Sequence, residues 1–109
     1  MKGEHAIAKS VLYIKEHYQA RLPLPYLARQ AGMSVWEYCR AFKMAIGVTP
    51  KRFHRQVRVE RAKALLRSRT IQVPRAAKAV GFKNIRTFQR NFKEMSGVSP
   101  SRYRRDRRR

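Results

Sequence analysis

One internal repeat constrains this chain more than any other feature. Leu24, Pro25, Leu27, Ala28 and Gly32 return as Val73, Pro74, Ala76, Ala77 and Gly81 at an offset of 49. Past the glycine the offset becomes 50. Ser34, Tyr38, Arg40, Phe42, Lys43, Gly47, Val48, Pro50 and Phe53 return there as Asn84, Phe88, Arg90, Phe92, Lys93, Gly97, Val98, Pro100 and Tyr103. A one-residue slip confined to a turn is what a tolerated loop insertion looks like. Two copies of one structural unit therefore cover most of the sequence.

The second copy, Val73 to Phe92, shows what the unit is. Val73, Ala76, Ala77 and Val80 trace a short apolar helix that runs into Gly81, and Ile85, Phe88 and Phe92 resume at helical spacing after Asn84. Glycine enters left-handed backbone at little steric cost, and Asn84 can cap the second helix by accepting from a free N–H. With Ile85, Phe88 and Phe92 facing inward, Arg86, Gln89, Arg90 and Lys93 face out. The pattern is a helix-turn-helix whose second helix is suited to a DNA major groove. In the first copy, Leu24, Leu27, Ala28 and Ala31 form the short helix, with Pro25 tolerated in its first turn. Ser34 and Glu37 form a capping box, and Tyr38 and Phe42 point inward. Val35, Trp36, Cys39, Arg40 and Lys43 are left on the outer face.

The remaining helices follow from stripes and punctuation. Ile7, Val11, Ile14 and Tyr18 form one stripe on an amphipathic helix from Glu4 to about Gln19, ended before Pro23. Each copy closes on Gly-Val-Thr/Ser-Pro, at Gly47 to Pro50 and Gly97 to Pro100. The glycine ends one helix, the hydroxyl caps the next and proline takes its first turn. From Pro50 to about Arg67 runs a long helix through Phe53, Val57, Val59, Ala62, Leu65 and Leu66. Its apolar residues occupy more than one face, which suits a connector serving two small cores. Such a helix of ~17 residues spans roughly 25 Å, enough to set two reading helices about one DNA turn, ~34 Å, apart. The run from Arg104 to Arg109 reads as a frayed, solvated tail.

Charge narrows the partner. The formal net charge is +21, which suits a polyanion, while 43% hydrophobic residues provide for a folded core. The single cysteine, Cys39, excludes an internal disulfide, and His5, His17 and His54 lack ligand-like spacing, so no metal or cofactor is expected. Six acidic residues, dispersed along the chain, form no evident acid/base pair. The chain is read as a non-enzyme. It has no apolar run long enough to span a bilayer and no signal-peptide core, so a cytoplasmic, nucleoid-associated protein without membrane contact is expected.

Joint occurrence of LARQAGMS, YCRAFK and GVTPKRF with RVERAKALL, VGF, TFQRNFK and GVSPSRYR resembles the DNA-binding domain of the AraC/XylS family of bacterial transcription regulators. The likeness runs from about Ala6 to Arg104. It implies an all-α fold of seven helices, as two homeodomain-like helix-turn-helix subdomains joined by a long connector. The expected division is 1–49, 50–67 and 68–104, with 105–109 as a basic tail. Departures are mild. Ala76 stands where the family usually has isoleucine, Pro74 is uncommon, Phe53 replaces a common tyrosine, and the arginine tail is an addition.

The resemblance further implies asymmetric binding of one monomer to two major-groove blocks about a turn apart, through recognition helices at about 35–46 and 85–96. Base-contacting candidates are Val35, Trp36, Cys39 and Arg40 in the first and Arg86, Gln89 and Arg90 in the second. Arginine can bond guanine O6 and N7 together, and glutamine suits adenine. Ser34, Lys43, Lys83, Asn84, Thr87 and Lys93 are phosphate-contacting candidates, which position the protein without reading sequence. Plainer roles stand beside these: Trp36 as a lid on the core edge, Arg40 and Arg90 as phosphate clamps. A redox role for Cys39 lacks a resolving cysteine. Tyr38, Phe42, Phe88 and Phe92 are assigned to core. Family activators also contact RNA polymerase, though no stretch here marks that surface. Typical members carry a separate effector or dimerisation domain, so the chain reads as a stand-alone short regulator or an excised domain.

The leading expectation is a sequence-specific, double-stranded-DNA-binding transcription regulator. The alternative is a non-specific nucleoid-architectural or RNA-binding basic protein, in which charge alone does the work. Two separately capped and patterned helices are more detail than such a protein needs.

Overall fold

A computed structural model describes residues 2–68 and 70–106, and all regular structure among them is helical. In chain order these are α1 (Lys2–Glu16), α2 (Leu24–Gln30), α3 (Val35–Ile46), α4 (Pro50–Arg67), α5 (Val73–Ala79), α6 (Ile85–Ser96) and α7 (Pro100–Asp106). The chain divides into two compact units, Met1–His54 and Arg55–Arg109, with the division inside α4.

In the first unit α3 packs on α1 and α2. Ile7 and Ile14 of α1, Leu27 and Ala28 of α2, and Tyr38 and Phe42 of α3 are buried. Val11 and Tyr18, expected on the same stripe as Ile7, are only half-buried. Phe53 meets the Phe42 ring edge-on at 5.6 Å between centroids. The Tyr38 hydroxyl, carried to the bottom of this core, is hydrogen-bonded to buried Ser10 of α1. α1 stops earlier than its apolar stripe predicts, at Glu16 instead of about Gln19. The chain behind it is tied down by His54, which is buried with Nε2 at 3.0 Å from both the Tyr18 and Ala20 carbonyls. Two carbonyls can only accept, so Nε2 carries the proton. His54 thus closes the unit as a structural residue.

The second unit repeats the plan with one more hydrophobic ring, Phe82, among its buried residues. Ala76, Ala77 and Val80 are buried, as are Phe88 and Phe92 of α6 and Val59, Ala62 and Leu66 of α4. Phe82, Phe88, Phe92 and Tyr103 form a chain of ring contacts with centroids 5.3–5.7 Å apart. The Arg58 guanidinium lies 5.4 Å from the Phe82 ring centroid, and burial lowers its pKa.

Both turns are Schellman motifs. In the first, Gly32 N–H donates to Arg29 O and Met33 N–H to Ala28 O; in the second, Gly81 N–H donates to Lys78 O and Phe82 N–H to Ala77 O. Both glycines have positive φ, 70° and 103°. Met33 and Phe82 thus occupy equivalent places, which makes exposed Lys83 the inserted residue behind the offset change.

Two expectations need correction. Ile85 does not face the core: it is 38% exposed, much like its counterpart Val35 at 41%. Both are first residues of their helices, and a helical side chain leans towards the preceding turn, which neither helix has. Arg104 is not part of a solvated tail. It lies within α7, half-buried, and its Nε donates to Ile71 O at 2.9 Å. Arg105 and Asp106 are helical too, with Arg102 and Asp106 paired at 3.5 Å, while Arg107 to Arg109 lie outside the described residues.

Phe92→Ala should lower the unfolding free energy by about 3–5 kcal/mol, since it empties a fully buried ring site, whereas Ile85→Ala should cost less than about 1 kcal/mol. Urea denaturation followed by circular dichroism separates the two. Gly47 has φ 99° and no atom within 4 Å of where a Cβ would stand. Gly47→Ala should therefore cost about 1 kcal/mol of backbone strain without any clash, in the same measurement.

Candidate nucleic-acid interface

The outward faces of α3 and α6 are set by what holds each helix at its start and underneath. Ser34 Oγ accepts from Glu37 N–H at 3.1 Å and Ser34 N–H donates to Glu37 Oε1 at 2.9 Å, a complete capping box. The hydrogen bonds from the Ser34 backbone and side chain hold the Glu37 carboxyl below its ordinary pKa. At α6, Asn84 Oδ1 accepts from Arg86 N–H at 2.8 Å and Thr87 N–H at 3.2 Å. Beneath, Tyr38 and Phe42 anchor α3, and Phe88 and Phe92 anchor α6, all with no exposed surface. Anchors four residues apart lock each helix against rotation, so the opposite face is fixed.

On α3 that face carries Val35, Trp36, Arg40 and Lys43, all exposed, with Trp36 at 67%. The Trp36 indole is therefore not a lid over the core. Arg40 reaches back one turn, its guanidinium 5.2 Å from the indole centroid. Cys39, expected on the outer face, is half-buried, and burial pushes its thiol pKa up despite the opposing pull of Lys51. It behaves as a small packing residue at the edge of the face rather than a reactive thiol. Sequence reasoning passed over Met44, which is 80% exposed. The signal was there: Met44 lies four residues after Arg40 and eight after Trp36, on the same stripe.

On α6 the exposed face carries Arg86, Gln89, Arg90, Lys93 and the acidic Glu94, joined by Lys83 and Asn84 ahead of the helix. Thr87 is half-buried and its carbonyl accepts from Asn91 Nδ2 at 2.8 Å. Two arginines, a lysine, a glutamine and a glutamate thus share one polar face, where α3 offers tryptophan, methionine, a lysine and a single arginine. The α6 face can donate to base edges and phosphates at several points. The α3 face combines one guanidinium and the Lys43 ammonium with a broad apolar surface. Among the described residues no three His, Cys, Asp or Glu side chains are close enough to hold a metal ion, and no helix is long and apolar enough to cross a membrane.

Comparison with known proteins fits this geometry. A family model described as a helix-turn-helix domain matches residues 27–106. The MmsAB operon regulatory protein of Pseudomonas aeruginosa is 36% identical over 92 residues, covering 84% of this chain and 30% of that protein. The transcriptional activator AarP of Providencia stuartii is 29% identical over 98 residues, 90% of this chain and 73% of that one. Against the first of these, and against the probable regulator LumQ of Photobacterium leiognathi, of which 37% is covered, the chain spans about a third of the relative's length. Among solved structures, a probable AraC family transcriptional regulator from Rhodopseudomonas palustris superposes with a TM-score of 0.85 at 27% identity, covering 94% of this chain and 97% of that one. The DNA-binding domain of AdpA, solved in complex with a target DNA, gives 0.85 at 28% identity, covering 94% and 92%. With two helix-turn-helix motifs and seven helices among its described residues, the chain belongs to the AraC-type helix-turn-helix family of transcription-regulator DNA-binding domains.

Proposed function

We propose that this DNA-binding domain reads a specific sequence in double-stranded DNA by placing α3 and α6 in adjacent major-groove segments. One observation carries the reading: each helix is clamped by a cap and two buried aromatics so that a single polar face is presented to solvent. A binder working by charge alone has no use for such rotational control. AdpA's domain, of the same fold, was solved with its target DNA, which supports the same partner here. A regulator working on DNA belongs on the bacterial nucleoid, so the reading places the chain in the cytoplasm.

In this reading Arg86, Gln89 and Arg90 address base edges from α6, with Arg90 suited to a bidentate bond to guanine. Val35, Trp36 and Arg40 address bases and thymine methyl groups from α3, with Cys39 at the margin and Met44 extending the apolar contact. Lys43, Lys83 and Lys93 meet phosphates. Ser34, Asn84 and Thr87 are weaker phosphate donors: the Ser34 oxygen and Asn84 Oδ1 are taken by the caps, which leaves only the Ser34 hydroxyl hydrogen and the Asn84 amide hydrogens to give. A target with two short blocks about one turn apart, bound without two-fold symmetry, is the expected operator.

Selection of bound duplexes from a random pool should return one such asymmetric site; two symmetric half-sites would instead mean a dimer. On the selected site, Arg90→Ala should cost about 1–3 kcal/mol and relax preference at one base position. Competition binding checks this, and an equal loss on every duplex would reduce Arg90 to a phosphate clamp. Lys93→Ala should weaken selected and random duplexes alike and reduce the slope of log affinity against log salt by about 1. If the wild-type chain showed no preference for the selected site at physiological salt, the charge-driven alternative would replace the present one.

A further inference from the structure

Between α1 and α2, inside the first unit, lies a cleft of about 210 Å³ lined by Lys9, Ser10 and Tyr13 from α1 and by Tyr26, Leu27 and Gln30 from α2. It is separate from the Trp36–Arg40 face of α3, and nothing in the DNA-binding role uses it. We propose that this cleft binds a single-ring aromatic carboxylate.

Size selects the class. An apolar cavity of about 150 Å³ accepts benzene, so this cleft holds one ring with a small polar substituent, well below the volume of a drug-sized site. Its walls select the ring. Tyr13 and Tyr26 approach with centroids 5.5 Å apart at 44°, in the tilted range that aromatic groups favour. Leu27 is buried beside them. Tyr13 is also stacked on His17, at 4.1 Å and 20°, with His17 Nδ1 at 3.0 Å from the Tyr13 carbonyl. That wall is held in place before any ligand arrives, which reduces the ordering cost of binding.

Charge selects the carboxylate. Lys9 supplies a cation, and no carboxylate lines the cleft among the described residues. Lys9 and Tyr13 lie four residues apart on α1, as do Tyr26 and Gln30 on α2, so each wall sets a polar head one turn from an aromatic ring. A ring against the tyrosines with its carboxylate towards Lys9 and the Gln30 amide matches both walls at once. Ser10 is not free for the ligand, because its hydroxyl is engaged with Tyr38.

The probe is 4-hydroxybenzoate, followed by amide chemical shifts of the full chain. Saturable shifts at Lys9 to Tyr13 and Tyr26 to Gln30 are expected at millimolar concentrations. Acetate carries the charge without the ring and benzyl alcohol the ring without the charge; both should bind more weakly. Lys9→Gln should weaken 4-hydroxybenzoate about fivefold, the scale of an exposed ion pair, and leave benzyl alcohol unchanged. Tyr26→Leu should weaken both ring compounds about fivefold. Lys9 and Tyr26 are exposed, and unchanged circular dichroism confirms that either variant folds. Shifts that never saturate, equal response to acetate, or equal affinity in Lys9→Gln would overturn the proposal, and each would leave the DNA-binding reading untouched.

Discussion

Four buried rings decide how this molecule presents itself. Tyr38 and Phe42 under α3, and Phe88 and Phe92 under α6, are wholly removed from solvent. Each pair sits one turn apart, so each helix has two fixed points on its inner side and no freedom to roll. A roll of one residue would turn each helix by about 100° and carry Arg90 or Arg40 off the outer face. The identity of the outward residues is therefore a result of core packing. Ser34 and Asn84 then fix where each helix begins, so both the rotation and the axial position of the outer side chains are determined within the unit.

The second constraint is charge. A formal +21 on 109 residues works against compactness, and six carboxylates cannot neutralise it. The described ion pairs, Lys63–Glu60 and Arg102–Asp106, are short-range contacts along single helices at partly exposed positions. Each contributes little on its own. Cations instead find other uses inside the fold: Arg58 over Phe82, Arg67 donating to the Tyr103 hydroxyl, Arg104 donating to Ile71 O. These guanidiniums cover apolar rings and close loops through their long stems. The arginines of α6, Arg86 and Arg90, stand in solvent instead.

Much of this was legible in the sequence, for identifiable reasons. The repeat gave two units, the 3.6-residue spacing of Tyr38/Phe42 and Phe88/Phe92 gave the anchors, and Ser34–Glu37 gave a capping box that the structure reproduces bond for bond. What failed was what single-residue patterns cannot encode. Ile85 looks like a core residue by spacing, but its place at the first turn leaves nothing for it to pack against. Arg104 looks like tail by its neighbours, but a carbonyl left over at Ile71 recruits it. His54 is isolated in sequence and acquires its role from Tyr18 and Ala20, over thirty residues away. Each miss is a long-range contact or an end effect, and neither leaves a periodic signature. Of the interface, the outward placement of Trp36, Arg40, Arg86, Gln89 and Arg90 could be read directly, while Met44 required following the same stripe one turn further.

The joints that close the two units deserve a different reading from their role as helix ends. Gly47 and Gly97 both turn into left-handed backbone, and Thr49 and Ser99 both accept, at 3.2 Å, from the amide three residues on. Ahead of them, α3 and α6 are both twelve residues long, start at a side-chain cap and carry their anchors at the fourth and eighth positions. Length, entry, exit and footing are thus alike in the two helices, while outward positions such as Trp36 against Arg86 and Met44 against Glu94 differ. Each behaves as an exchangeable cartridge in a standard socket. On the proposed reading, a gene encoding such a fold can revise one half of its target by changing a few outward codons, without renegotiating the core beneath.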